Sequence, residues 1–151
     1  MKNSMQAVND FVNSKSVAII GVSRNKDKFG NSLYREMKKK GYTVYAVNPN
    51  MDMFEGDRCY AGLGALPEKP EAVLMSVQPP ATLAVMEEMA RLGIKKGWLQ
   101  QGADSKEGEA KAQELGLELV SGECMMMFIQ PVESIHKFHR GFKKLFGQLP
   151  K

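Results

Sequence analysis

The sequence predicts a three-layer α/β fold of Rossmann-like type, a five-stranded parallel sheet flanked by helices on both faces. Three observations predict it. Short apolar runs rich in Val, Ile and Leu recur along the chain and end at Gly, Asn-Pro or Pro-Pro. Segments with apolar residues at helical spacing lie between them, each with its own stop signal. Runs and helices alternate from the first strand onward. Strands that alternate with helices are joined by right-handed crossovers, which make the sheet parallel and cover both of its faces.

The elements follow in order. Residues 16–21, Ser-Val-Ala-Ile-Ile-Gly, read as a fully buried first strand. A helix over 33–40 follows, with Leu33 and Met37 four apart, lysines in its last turn and Gly41 as its stop. Residues 43–47 form the second strand, ended by Asn48-Pro49-Asn50. Residues 51–70 are expected to be a long connection broken by Gly56, Gly62, Gly64 and Pro67, with room for a short helical turn. Residues 72–77 form the third strand. Pro79-Pro80 ends it and opens a helix, because Pro is tolerated at a first helical position. Leu83, Met86 and Ala90 mark the apolar face of that helix, and Gly93 stops it.

Residues 97–100 form the fourth strand, and Ser105 caps a helix that runs to Leu115 with Gly116 as its stop. Residues 117–120 form the fifth strand. A last helix is expected over 131–145. An N-terminal helix capped by Ser4 would turn Met5, Val8, Phe11 and Val12 to the core. No repeat, low-complexity tract or linker divides the chain, so one domain is expected over 1–151.

The length of 151 residues is enough for a proper core. With 43% apolar and 25% charged residues, the composition is that of a soluble globular protein. No apolar run approaches the ~20 residues a membrane span needs, and the first residues lack the uninterrupted apolar core of a signal peptide. A cytoplasmic location without a membrane partner is expected. Cys59 and Cys124 are too few for a disulfide scaffold and have no metal-ligand spacing, so reduced thiols and no metal are expected. The net charge of +4 suits an anionic small ligand; it also suits weak nucleic-acid binding and decides little by itself.

Ligands of such sheets bind beyond the carboxyl ends of the strands, where the strand order switches beside the first strand. The loop there contains Gly21, Val22, Ser23, Arg24, Lys26 and Lys28 and leads into a helix. A helix N-terminus offers free N–H groups and a positive dipole end, Gly21 permits a tight turn, and the three cations suit phosphates. The dinucleotide fingerprint G-x-G-x-x-G is absent: its second and third glycines would fall at Ser23 and Lys26. The acid that holds a ribose at the end of the second strand is also absent, its place taken by Val47-Asn48-Pro49. A ligand with several phosphates, such as coenzyme A with its 3′-phosphorylated ribose, favours cations here.

Five pieces in order carry a family resemblance: residues 17–25; Gly41-Tyr42 with Val47-Asn48-Pro49; Gly56 with Cys59-Tyr60; Val77-Gln78-Pro79-Pro80; and Trp98-Leu99-Gln100-Gln101-Gly102. In these the sequence resembles the CoA-binding domain family. This is the Rossmann-like domain at the N-terminus of the succinyl-CoA synthetase alpha subunit and of ADP-forming acyl-CoA synthetases, which also occurs as small stand-alone proteins. The resemblance covers about residues 12–124. It implies that Ser23 and Arg24, with the backbone of Gly21 and Val22 and with Lys26 and Lys28 nearby, hold CoA phosphates. Asn48 and Pro49 would lie near the adenosine end. Val77, Pro79 and Pro80, with Gln78 among them, would form an apolar wall, and Gln101 and Gly102 would line the pantetheine path.

The acyl-CoA synthetases continue into further domains, one with a phosphorylated His and one that grasps ATP, whereas this sequence ends at Lys151. His136 and His139 match no catalytic motif, and no third metal ligand stands near them. No Ser–His–Asp or Cys–His arrangement is identifiable, so no catalytic residue is assigned and no independent catalysis is expected. The last helix carries Phe138, Phe142 and Phe146 beside Lys137, Arg140 and Lys143, as expected of a helix that closes the sheet and leaves some apolar surface for a dimer. Met125-Met126-Met127-Phe128 would flank a pantetheine arm or fill the core.

The expectation is a binding module for CoA or acyl-CoA, as carrier, sensor or subunit. Its partner is a small-molecule nucleotide, with no nucleic acid, and its assembly a homodimer or a larger acyl-CoA enzyme complex. The alternatives are an NAD(P)-linked oxidoreductase, or a scaffold or regulatory protein with a vestigial pocket.

Overall fold

The first apolar run folds as strand β1 (Ser16–Ile20), buried along its whole length. A computed structural model, which describes residues 3–129, sets it inside a sheet of seven strands. β1 pairs with β2 (Thr43–Val47) on one side and with β5 (Ala72–Met75) on the other, both parallel. β6 (Lys96–Gln100) and β7 (Glu118–Glu123) extend the β5 side, also in parallel. On the far side β4 (Asp57–Tyr60) runs parallel to β2, and β3 (Met53–Phe54) pairs antiparallel with β4.

The sheet is Rossmann-like, but it has seven strands rather than five and is mixed rather than purely parallel. Both extra strands lie in the stretch expected to be a connection. They form a hairpin about Glu55 and Gly56, whose φ values of 49° and 85° have the sign a two-residue hairpin turn requires. β3 is only two residues long and the turn begins with Glu, so neither strand length nor the usual Asn-Gly or Asp-Gly signal announces it. The expected helical turn is present as a 3-10 turn at Leu63–Ala65.

Among the described residues four α-helices flank the sheet: α1 (Met5–Val12), α2 (Phe29–Lys39), α3 (Pro79–Leu92) and α4 (Lys106–Leu115). The Ser4 hydroxyl accepts from Ala7 N–H at 3.0 Å, and the Ser105 hydroxyl from Gly108 N–H at 2.9 Å. Gly93 and Gly116 close α3 and α4 in the left-handed conformation. Alternation along β1 feeds two cores. Val17 and Ile19 meet Phe11 of α1 and Leu33 and Met37 of α2. Ala18 and Ile20 point the other way, toward Met86 and Met89 of α3 and Ala112 of α4. No described helix is long and apolar enough to cross a membrane. The helix expected over 131–145, with His136, His139, Phe142 and Phe146, lies outside the described residues.

The new hairpin is tied to α2. The Tyr34 hydroxyl donates to Asp57 Oδ2 at 2.7 Å, Lys38 pairs with the same carboxylate, and Arg35 pairs with Glu55. The Lys38 ammonium and the Tyr34 hydroxyl hold the Asp57 carboxyl below its ordinary value of 3.8. Burial and the bond to Asp57 raise the Tyr34 hydroxyl. Because the folded value of Asp57 is depressed, its stabilisation is present above pH 3.8 and is lost as pH falls through the lower folded value.

Acidification through that window should therefore lower the protection of β4 amides, relative to their intrinsic exchange rates, before the sheet centre opens, and Asp57→Asn should show the same loss of protection at neutral pH; equal protection in the two proteins at pH 7 would remove Asp57 as the tie. At the other edge Trp98 is fully buried between the rings of Phe11 and Phe128, at 5.1 and 5.5 Å, and its Nε1 donates to the Glu123 carbonyl at 2.9 Å. Trp98→Ala should cost about 3–5 kcal/mol, read by denaturant unfolding with circular dichroism because the chain's sole Trp is removed.

Candidate functional site

The site begins with two glycines. Gly21 ends β1 at φ 130°, and a Cβ there would lie 2.3 Å from the Ser76 carbonyl oxygen. Gly30 sits in the first turn of α2, where a Cβ would lie 2.2 Å from the Gly21 carbonyl oxygen. The loop, the start of α2 and the end of β5 therefore touch backbone to backbone. α2 starts at Phe29, a turn before the expected position, because 29–32 is a stretch of weak helix formers held in place by this contact.

Asn31, 2% exposed, locks the loop. Its Oδ1 accepts from Ser23 N–H at 2.8 Å, and its Nδ2 donates to the carbonyls of Ser23 at 2.9 Å and Asn25 at 3.1 Å. The Ser23 hydroxyl in turn accepts from Asn25 N–H. Asn31 thus occupies the Ser23 amide, and what Ser23 presents to a ligand is its hydroxyl. Asn48 joins the neighbouring loop to this one: its Nδ2 donates to the Val22 carbonyl at 2.9 Å and its Oδ1 accepts from Asn50 N–H at 2.8 Å.

A cleft of about 570 Å³ lies over the carboxyl ends of β1, β2, β5 and β6. Gly21, Val22, Ser23 and Lys28 line it from the loop, Asn48 and Pro49 from the end of β2. Val77 and Gln78 line it beyond β5, Gln101 and Gly102 beyond β6. Four expected residues are not part of the lining. Arg24 stands at the rim, where its guanidinium donates to the Asn50 carbonyl at 3.0 Å. Lys26 is exposed on the loop. Pro79 and Pro80 occupy the first two positions of α3, and Ala81 lines the cleft in their stead. The cleft is also lined by Ile20, Phe29, Val47, Asn50, Ser76, Ala81 and Ala103, which were not among the expected residues. The available signal for Phe29 was an aromatic immediately before Gly30.

The electrostatics are one-sided. Among the described residues no Asp or Glu lines the cleft. α1 and α4 have serine caps, whereas α2 and α3, whose first turns line the cleft, have no side-chain cap. The two prolines leave the first positions of α3 without N–H groups, while the first positions of α2 retain theirs. The positive donor end facing the cleft is therefore that of α2.

At the end of β6, Gln100 is 3% exposed and reaches the residues that follow β7: its Oε1 accepts from Met125 N–H at 3.0 Å and its Nε2 lies 3.1 Å from Cys124 Sγ. Met125 is buried in the core, with Met126 and Met127 packed partly against it. Burial pushes the Cys59 thiol up. Asn31→Ala should cost about 1–3 kcal/mol by leaving the loop amides without their partners, measured as a lowered unfolding midpoint; an unchanged midpoint would show that the loop holds itself.

Residues 15–130 match the CoA binding domain. An ADP-forming acetate–CoA ligase II of Archaeoglobus fulgidus is 29% identical over 145 residues, which cover 93% of this chain and 22% of that protein. The chain thus spans a minor part of the length of that relative. A conserved hypothetical protein of Pyrococcus furiosus has a solved structure that superposes with a TM-score of 0.70 at 36% identity, over 74% of this chain and 97% of that one. A hypothetical protein of Pyrococcus horikoshii superposes with a TM-score of 0.74 at 28% identity, over 94% and 92%. The family match runs through every loop that lines the cleft, and the chain belongs to the CoA binding domain family.

Proposed function

We propose that the cleft binds coenzyme A or acyl-CoA. The observation that carries this reading is a cleft without a carboxylate among the described residues, set against the N-terminus of α2, which has no side-chain cap, with Lys28 in its lining and Arg24 at its rim. Phosphates are acceptors only, and they suit N–H groups at a positive dipole end together with flexible cations. The pyrophosphate would meet the first turn of α2, Lys28, Arg24 and the Ser23 hydroxyl. Val77 and Ala81 offer an apolar surface to pantetheine, and Gln101 and Gly102 continue its path toward β6. Asn48, Pro49 and Asn50 offer no acid to a ribose diol, as a nicotinamide dinucleotide would require.

The chain would then act as a carrier or sensor of the cofactor, or supply the CoA-binding part of a larger acyl-CoA enzyme. Fold by itself does not choose among these roles. Calorimetry with CoA, 3′-dephospho-CoA, NAD and NADP in parallel tests the ligand. CoA should bind, less tightly without its 3′-phosphate, and Arg24→Ala should weaken CoA binding about tenfold through loss of a charge-assisted contact. Binding of NAD or NADP alone would replace the proposal with an oxidoreductase, and binding of none would leave a vestigial pocket. Undiminished CoA affinity in Arg24→Ala would overturn the placement of the phosphates.

A further inference from the structure

The two faces of the sheet are finished differently beyond β1. On one face α2 packs over the hairpin: Tyr34 meets the Phe54 ring at 5.1 Å, and Phe54 and Cys59 join the core beneath the helix. Ile129, the last described residue, is buried in that same core. On the other face α3 and α4 lie over β1, β5, β6 and β7. Among the described residues no further helix continues this layer across β4 and β3. The Leu63–Ala65 turn and Leu66 border it.

Alternation along β2 and β4 turns Tyr45, Arg58 and Tyr60 to this face: Tyr45 packs at the margin of the α3 core, and Tyr60 is in register with Val47 of that core. Met53, opposite Arg58 on β3, shares the face and is 57% exposed. Four side chains form a row across it. The Arg58 guanidinium stands over the Tyr60 ring, 5.5 Å from its centroid. Tyr60 meets Tyr45 edge to face, with centroids 6.1 Å apart. The Tyr45 hydroxyl donates to Glu68 Oε1 at 2.6 Å. Arg58 and Glu68 are exposed, and none of the ion pairs among the described residues engages either. The row therefore runs cation, ring, ring, carboxylate.

Such a row is its own complement. We infer that this sheet face is the interface of an isologous homodimer, in which a second copy of the chain lies antiparallel across the first and Arg58 of each copy meets Glu68 of the other. The tyrosines then face each other at the two-fold axis. Tyr and Arg are residue types that carry interfaces, and Met53 adds adaptable apolar surface. The reciprocal charges fix the register. A partner of one charge sign would satisfy one end of the row and meet its like at the other, whereas a second copy satisfies both ends.

Sedimentation equilibrium of the full chain and of two charge reversals, Arg58→Glu and Glu68→Arg, tests the interface. The wild type should dimerise. Each reversal sets like charges together at both ends of the interface, so each variant alone should show a dimer dissociation constant raised about tenfold or more. An equimolar mixture of the two variants should regain the dimer, because each then presents the charge that the other lacks. Both positions are exposed, so the unfolding midpoints should match the wild type. A monomeric wild type would overturn the inference, as would variants that dimerise like the wild type. A mixture that stays monomeric, with both midpoints unchanged, would overturn the reciprocal pairing.

Discussion

Two glycines meet across the carboxyl edge of the sheet, and the gap between their backbones is too small for one methyl group. Gly30 lies against the carbonyl of Gly21, and Gly21 lies against the carbonyl of Ser76. This contact draws the start of α2 down onto the point where the strand order switches, between β1 and β5. The cleft follows from it. A side chain at either position would lift the helix off the loop and carry Lys28 and Phe29 away from the lining of the cleft. Asn31 then secures the arrangement by spending its whole amide on the Ser23 and Asn25 backbone.

The charge pattern of the site is produced as much by omission as by placement. Serines cap α1 and α4. The two helices that open at the cleft are uncapped, and α3 also opens with prolines that have no amide to offer. The result is a cleft with the positive end of α2 at one side and apolar side chains, Val77 and Ala81 among them, at another. Among the described residues no carboxylate lines it.

The β3–β4 hairpin extends the same edge. It adds strands beyond β2, ties itself to α2 through Asp57 and Glu55, and turns Arg58 and Tyr60 to the opposite face. The residues that fasten the hairpin, Tyr34, Arg35 and Lys38, occupy the same helix whose N-terminus faces the cleft. One helix thus supports both the cleft and the hairpin.

By itself the sequence determined the alternation of strands and helices, the serine and glycine boundaries, and the loops over which the cleft forms. These are local matters, set by apolar periodicity, by capping hydroxyls and by the left-handed turns of Gly93 and Gly116. Gly21, Val22, Ser23, Lys28, Asn48, Pro49, Val77, Gln78, Gln101 and Gly102 were expected at the cleft because they follow strand ends, and they stand in its lining. Only the tertiary structure decided the rest. The hairpin depends on pairing with β2 across a two-residue turn that begins with Glu, so no local pattern marked it. Gly30 matters because of Gly21 nine positions away, and Asn31 because its amide reaches back around the loop. Arg24 and Arg58 are both surface arginines in the sequence; the first is turned to the rim by the Asn50 carbonyl and the second over a ring by Tyr60. Each of these depends on residues that come together only when the chain has folded.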